Sequence, residues 1–123
     1  MTIAQPGLDA SESFALNHFD LFSHIAVGDG DVGAVVTDTA LNSEVFRNAL
    51  NQAVKNTGAG TYFFEIKIGL TEANGFTIKE IGVFDAASAG NMATKDLLPI
   101  QVAKTSNFVL EIGVTVTITS ENN

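Results

Sequence analysis

Residues 62–85 read Tyr-Phe-Phe-Glu-Ile-Lys-Ile-Gly-Leu-Thr-Glu-Ala-Asn-Gly-Phe-Thr-Ile-Lys-Glu-Ile-Gly-Val-Phe-Asp, and they decide the predicted fold. Two apolar runs that favour β-strands flank a short polar segment ending in Asn74-Gly75. In the first run, apolar side chains alternate with Glu65, Lys67 and Gly69, which is the period of a strand with one buried face. Asn and Gly tolerate the positive φ that a return loop needs, so the stretch predicts a β-hairpin.

A longer alternation lies near the C-terminus. Apolar side chains occupy every even position from Phe108 to Ile118, and most of the odd positions between 109 and 119 are polar or glycine. An unbroken period of two over this length predicts a long strand with one buried face.

Two more strands complete the predicted architecture. Residues 22–28 read as a strand that ends at a glycine, and residues 97–104 as one whose Pro99 belongs at an edge or at the start. The fold class is therefore mainly β, an antiparallel β-sandwich with one or two short helices over residues 22–119. Residues 1–21 are expected to form an N-terminal arm, helical in part or irregular, that docks on a partner or on the core. Residues 120–123 form a polar tail.

One long segment stays open between helix and strand. The apolar positions of residues 41–55 fit a period of 3.6 residues, which predicts a helix capped by Asn42 or Ser43. This choice separates an all-β domain from a sandwich that carries a helix.

Charge and composition exclude several functional classes. The chain has 123 residues, 14 of them acidic and six basic, for a formal charge of −8. The six cations are scattered along the sequence, whereas a phosphate-backbone binder needs them clustered, so we expect no nucleic-acid partner. No apolar run approaches the ~20 residues of a membrane span, and we expect no membrane insertion. The absence of cysteine excludes thiolate metal sites and cysteine nucleophiles.

The loop beginning at Gly28 has the composition of a calcium loop. Its carboxylates make Asp29 and Asp31 weak metal candidates, but apolar residues follow where further oxygen ligands would be needed. No nucleophile elbow and no phosphate-binding glycine loop occurs in the sequence. We therefore predict no cofactor, no metal and no catalytic residue.

Glu80 is the most informative charged residue. Regular alternation would place it on the face of Ile78 and Phe84, where an unpaired carboxylate costs several kcal/mol. A local β-bulge would instead rotate it outward, and would explain why Ile81 and Val83 are apolar on the other face. We hypothesise a structural ion pair in which Arg47 contacts Glu80 or Glu44.

Three blocks of the sequence together resemble a known family. They are His-Ile-Ala-Val-Gly-Asp-Gly at 24–30, Thr-Asp-Thr-Ala-Leu-Asn-Ser-Glu-Val-Phe-Arg at 37–47, and Thr-Ile-Lys-Glu-Ile-Gly-Val-Phe-Asp at 77–85. In this order and spacing they resemble the N-terminal module of bacteriophage tail-collar and tail-fibre proteins, over roughly residues 22 to 119. In similar proteins the segment matching 44–55 is extended, which opposes the helix that the periodicity predicts.

The resemblance implies a non-enzymatic structural protein of the virion tail, collar or baseplate, made in the host cytoplasm. Such modules attach fibres to other tail proteins, often as trimers, so we expect a symmetric homo-oligomer with a trimer favoured. The sequence ends at Asn123, where tail fibres continue into a shaft and a receptor-binding tip, and this favours an adaptor. Phe14, Phe19 and Phe22 are interface candidates, with a place in the chain's own core as the alternative.

Other functions remain open at this point. One is a carbohydrate- or host-receptor-binding β-sandwich, although the absence of Trp and the single Tyr62 speak against a stacking platform. A second is a capsid decoration protein.

Overall fold

The computed structural model describes residues 2–3, 22–35, 37–51, 55–58 and 61–117. All regular secondary structure in these ranges is β-strand, and no helix occurs in them. The strands are β1 (Thr2–Ile3), β2 (His24–Gly28), β3 (Glu44–Ala49), β4 (Lys55–Gly58), β5 (Thr61–Ile68), β6 (Thr77–Phe84), β7 (Met92–Ala103) and β8 (Leu110–Thr117).

The strands form two antiparallel sheets. A five-stranded sheet has the order β1-β7-β6-β2-β3, and a three-stranded sheet has the order β4-β5-β8. The expected mainly β, antiparallel class is therefore confirmed.

The long C-terminal strand is confirmed over residues 110–117. It pairs with β5 in unbroken register from Ile68↔Leu110 to Thr61↔Thr117. Its even positions, Val114 and Val116, are buried, while the odd positions are open to solvent as far as residue 115. The alternation in the sequence identified both the strand and its buried face.

The predicted hairpin of residues 62–85 is wrong, although both of its arms are strands. β5 belongs to the three-stranded sheet and β6 to the five-stranded sheet, so the arms do not pair with each other. Each arm carries an apolar face, and both faces are buried when they lie against one core from opposite sheets. The connection, residues 69–76, is closed by Glu72, whose side chain accepts the Gly69 amide at 2.7 Å.

Of the two alternatives for residues 41–55, the helix is wrong where the structure describes the segment, and the extended form implied by the family resemblance is confirmed over residues 44–49. Glu44–Ala49 is strand β3, which pairs with β2 through Ala26↔Arg47 and its neighbours. Its Val45 and Phe46 pack against the core as strand residues. The free energy gained by burying these side chains in the sheet outweighs the modest helix propensity of the segment. The other helix candidate, near residue 14, lies outside the described residues.

One large hydrophobic core draws buried side chains from both sheets. Phe22, Ile25, Val27, Ile81 and Val83 come from the five-stranded side, and Phe64, Ile66, Ile68, Val114 and Val116 from the three-stranded side. Each such side chain contributes about 1.5–3 kcal/mol of transfer free energy on burial. A smaller apolar cluster of Ala26, Leu41, Phe84 and Met92 is separate from this core.

A bulge in the β6–β7 ladder changes which way β6 side chains point. Ile78 pairs with Val102, but Glu80 pairs with Leu97, so β7 carries extra residues between the two pairs. The shift lets Ile78 and Ile81 both enter the large core, although a regular strand would place them on opposite faces. The bulge therefore takes Glu80 off the core side, but the side chain stays fully buried on the other face of the sheet instead of turning outward.

Candidate functional site

The β2–β3 loop, of which residues 29–35 and 37–43 are described, packs on the face of the five-stranded sheet that is turned away from the large core. We call this side the covered face. Leu41 of the loop packs there with Ala26, Phe84 and Met92. The loop therefore contributes one apolar anchor of its own. Two buried charged residues of the sheet, Glu80 and Lys95, are the other anchors that hold it.

Glu80 is the first of these anchors. Its side chain is 0% exposed. Oε2 accepts the backbone amides of Gly30 at 3.1 Å and Ser43 at 2.7 Å, and Oε1 accepts the amide of Asn42 at 2.9 Å. Hydrogen bonds to an ionised acceptor are about twice as strong as neutral ones, so three of them offset much of the cost of burying the charge.

The glycines at the start of the loop make room for this carboxylate. A Cβ atom built on Gly28 would overlap the carbonyl oxygen of Ser43 and Oε2 of Glu80. One built on Gly30 would lie 2.6 Å from Glu80 Oε2. The Gly-Asp-Gly sequence at 28–30 is thus explained by the close approach of Glu80 rather than by metal coordination.

Lys95 is the second anchor and is almost fully buried. Its ammonium group donates to Asn42 Oδ1 at 2.6 Å and to Asp38 Oδ2 at 3.2 Å. Asn42 therefore binds Glu80 through its backbone and Lys95 through its side chain. The two anchors act on the same residue of the loop.

Asp38 closes a turn within the loop. Its carboxylate accepts the Val35 amide at 2.9 Å, and its own amide donates to the Val35 carbonyl at 3.0 Å. The Val35 amide lowers the pKa of Asp38 below its usual value, partial burial opposes this, and Lys95 adds a further lowering.

Arg47 fixes the connection between β6 and β7, residues 85–91. Its Nη1 donates to the carbonyls of Ala86 and Ala89, both at 2.9 Å, and its guanidinium lies 3.8 Å from the centroid of the Phe84 ring. Nε and Nη2 donate to the two carboxylate oxygens of Glu44, at 2.9 and 2.8 Å. The planar guanidinium, with its five N–H donors, can bind two carbonyls and a carboxylate while it stacks on a ring, whereas the single ammonium of a lysine could not make all of these contacts.

The structure thus separates the three residues of the hypothesised ion pair. Arg47 and Glu44 form the salt bridge, whereas the carboxylate of Glu80 is occupied by backbone amides and shares no hydrogen bond with Arg47. Pairing of Arg47 with Glu80, the first alternative, is corrected because the loop amides reach Glu80.

The other candidates fall in different places. Asp31 is exposed and Asp29 half-buried, and within the described ranges no three His, Asp or Glu side chains cluster closely enough to hold a metal ion. Phe22 is buried in the chain's own core, so its assignment as an interface residue is corrected. Phe14 and Phe19 lie outside the described residues.

The contacts at this site are structural. The buried Glu80 carboxylate binds loop amides, and the buried Lys95 ammonium binds the Asn42 and Asp38 side chains of the same loop. Sequence reasoning singled out Glu80 and Arg47, missed Lys95, and named Asn42 only as a possible helix cap. Local sequence does not reveal the contact between Lys95 and Asn42, because only the folded loop brings the two together on the covered face.

The three blocks at 24–30, 37–47 and 77–85 meet at this site. Glu80 comes from the third block, Gly28 and Gly30 from the first, and the amides of Asn42 and Ser43 from the second. Blocks that are distant in sequence are therefore joined by a single carboxylate.

Comparison with known proteins gives one family. The family described as phage tail-collar fibre protein, N-terminal, matches residues 10–121. No curated protein matches the chain. In the part of the chain that the structure describes, no helix has the length and apolar character needed to cross a membrane.

Proposed function

The chain belongs to the phage tail-collar fibre protein family, a structural and non-enzymatic kind of protein of the virion tail, and on this premise we propose its role in the particle. The protein forms a symmetric homo-oligomer, with a trimer favoured, and joins other proteins of the tail, collar or baseplate. The observation that carries this proposal is the family match over residues 10–121, nearly the whole chain.

The Glu80 site supports a scaffold role. Glu80, Lys95 and Arg47 each bind backbone or side-chain groups of a connecting loop, and the three are buried or nearly so. Loops held in this way present a rigid surface, and rigid surfaces lose little conformational entropy when subunits associate.

The arrangement of the two sheets belongs to the same proposal. They stack face to face as a β-sandwich, and their shared core, in which Ile66 and Ile81 both take part, supports this. Nuclear Overhauser effects between methyl groups of β5 and β2, strands of different sheets that contact each other, are expected, and their absence would speak against the stacking. The N-terminal arm, with Phe14 and Phe19, is the proposed docking element for a neighbouring tail protein.

Two measurements test the proposal. Light scattering coupled to gel filtration is expected to give the mass of a trimer, and a single-chain mass at every concentration would refute the homo-oligomer. Antibodies against the protein are expected to label the tail region of purified virions in electron micrographs. Label distributed over the head would favour a capsid decoration protein, and binding of the pure protein to host cells would favour a receptor-binding module.

A further inference from the structure

Exposed apolar side chains concentrate in two segments. Residues 69–76 connect β5 to β6, and residues 98–109 run from the second half of β7 to the start of β8. Large exposed apolar side chains in them are Leu70, Phe76, Ile100 and Val109, which are four of the six in the part of the chain that the structure describes. Ile100 is 75% exposed, the highest value of the six.

Hydrogen bonds hold the two segments side by side. The Lys104 amide donates to the Phe76 carbonyl at 2.9 Å, and the Gly75 amide donates to the Lys104 carbonyl at 3.0 Å. The buried ammonium of Lys104 donates to Asn74 Oδ1 at 2.9 Å and to the Thr105 carbonyl at 2.8 Å. Since Ile68 pairs with Leu110, Leu70 and Val109 leave the β5–β8 ladder at the same end. We call this surface, residues 69–76 and 98–109, the apolar end.

The backbone at the apolar end is a poor template for strand addition. Ile100 and Pro99 lie in the bulged part of β7, between the residues that pair with Ile78 and Glu80. Proline has no amide donor, and bulges interrupt pairing. A partner here is recognised by apolar side-chain contact rather than by main-chain hydrogen bonds.

The charge distribution points to what covers this surface. Glu72 is the only one of the chain's 14 acidic residues in the two segments, and its carboxylate is bound by the Gly69 amide. The only basic residue in them, Lys104, is buried. Copies of a chain with formal charge −8 repel one another wherever acidic groups meet. At the apolar end, identical chains approach with one half-buried carboxylate per copy, that of Glu72, so little repulsion between acidic groups opposes the contact.

We propose that the apolar end is the surface through which copies of this chain associate, and that Ile100 and Phe76 are among the side chains in the contact. This inference rests on the homo-oligomer of the proposed function and specifies its interface. Large apolar patches on soluble proteins mark interaction sites, and the near neutrality of this one makes a second copy the fitting occupant.

Charged substitutions with a matched control test the interface. Ile100→Glu and Phe76→Glu place a carboxylate in the contact, whereas Val32→Glu places one on the β2–β3 loop at a residue that is 58% exposed. We expect the first two to raise the concentration for half-dissociation at least about tenfold, as hot-spot residues do. Val32→Glu is expected to keep the mass of the wild type. Light scattering over a concentration series gives these masses, and urea midpoints verify that each variant is folded.

The outcomes separate this inference from the proposed function. A wild type that is monomeric at all concentrations overturns both. An oligomeric wild type whose mass falls with Val32→Glu but not with Ile100→Glu and Phe76→Glu overturns the apolar end alone. Salt gives an independent measurement, because it screens the repulsion between acidic chains and leaves apolar contact in place. An oligomer that dissociates as salt rises is held by ion pairs, and this result contradicts the proposed interface.

Discussion

Charged residues have opposite surroundings on the two sheet faces that are turned away from the core. On the covered face of the five-stranded sheet, Glu80 and Lys95 are buried and each binds the β2–β3 loop. On the three-stranded sheet, Lys67 and Glu111 sit on adjacent strands, 3.8 Å apart, with more than half of each side chain exposed. The same residue types hold a loop in one place and remain in water in the other.

This difference in burial decides where a charged side chain contributes to stability. An exposed ion pair contributes little, since water and salt screen it and two long side chains must be ordered. A buried carboxylate with three amide donors cannot exchange them for water without opening the loop. The covered face therefore depends on its charges for stability. The outer face of the three-stranded sheet, which carries Lys67 and Glu111 and which we call the open face, does not.

Among changes on the two faces, we expect removal of the Glu80 carboxylate to have the largest effect on stability. Glu80→Ala leaves the amides of Gly30, Asn42 and Ser43 without their acceptor, and we expect it to lower the free energy of unfolding by about 2–4 kcal/mol. Urea denaturation measures the loss. Glu111→Ala, on the open face, is the matched control and should change stability by less than about 0.5 kcal/mol. Equal effects of the two variants would show that burial of the carboxylate does not matter.

A smaller effect is expected from crowding the same carboxylate. Gly28→Ala introduces a Cβ where Ser43 and Glu80 already lie, and should cost about 1–3 kcal/mol by urea denaturation. Gly33→Ala is the control from the same loop, because nothing lies within 4 Å of its added Cβ. A loss at Gly33 as large as that at Gly28 would contradict the close-approach explanation.

The smallest expected effect is a dependence on pH at the edge of the covered face. The pKa of Asp38 is lower in the folded chain than its usual value, chiefly through the Val35 amide and further through Lys95. Its stabilisation is therefore present above the unfolded pKa and is lost as pH falls through the folded pKa. Urea midpoints of the wild type and Asp38→Asn should differ at neutral pH and converge in acid. A difference that is constant over this range would exclude the titration of Asp38 as its cause.

Much of the strand content was readable from sequence, but the pairing was not. The period of two in β5 and β8 reports which side chains are buried, because each strand lies on one core. It does not report the neighbouring strand. β5 and β6 are separated by an eight-residue connection, residues 69–76, that crosses between sheets, and a turn signature such as Asn74-Gly75 is equally compatible with a hairpin.

At the site, sequence reasoning found the residue that interrupts an apolar pattern, but it did not find the roles of residues that lie in ordinary polar sequence. Glu80 attracted attention because a carboxylate interrupts an apolar face. Lys95 and Asn42 sit in polar surroundings in the sequence, where such residues are ordinary. Lys95 is buried only because the loop folds over it, and Asn42, an exposed residue of that loop, contacts Lys95 only in the folded chain, so local sequence carries no sign of either.

By itself, the sequence determined that this chain is mainly β, which faces of β5 and β8 are buried, and that Glu80 either needs a partner or leaves the apolar face. These properties depend on local periodicity and on the cost of burying a charge, both of which can be read along the chain. Only the tertiary structure decided that the arms of residues 62–85 separate into two sheets, which of the two open alternatives, helix or strand, residues 44–49 adopt, and that backbone amides rather than Arg47 bind Glu80. Each of these depends on contacts between segments far apart in sequence, and such contacts exist only once the sheets have formed.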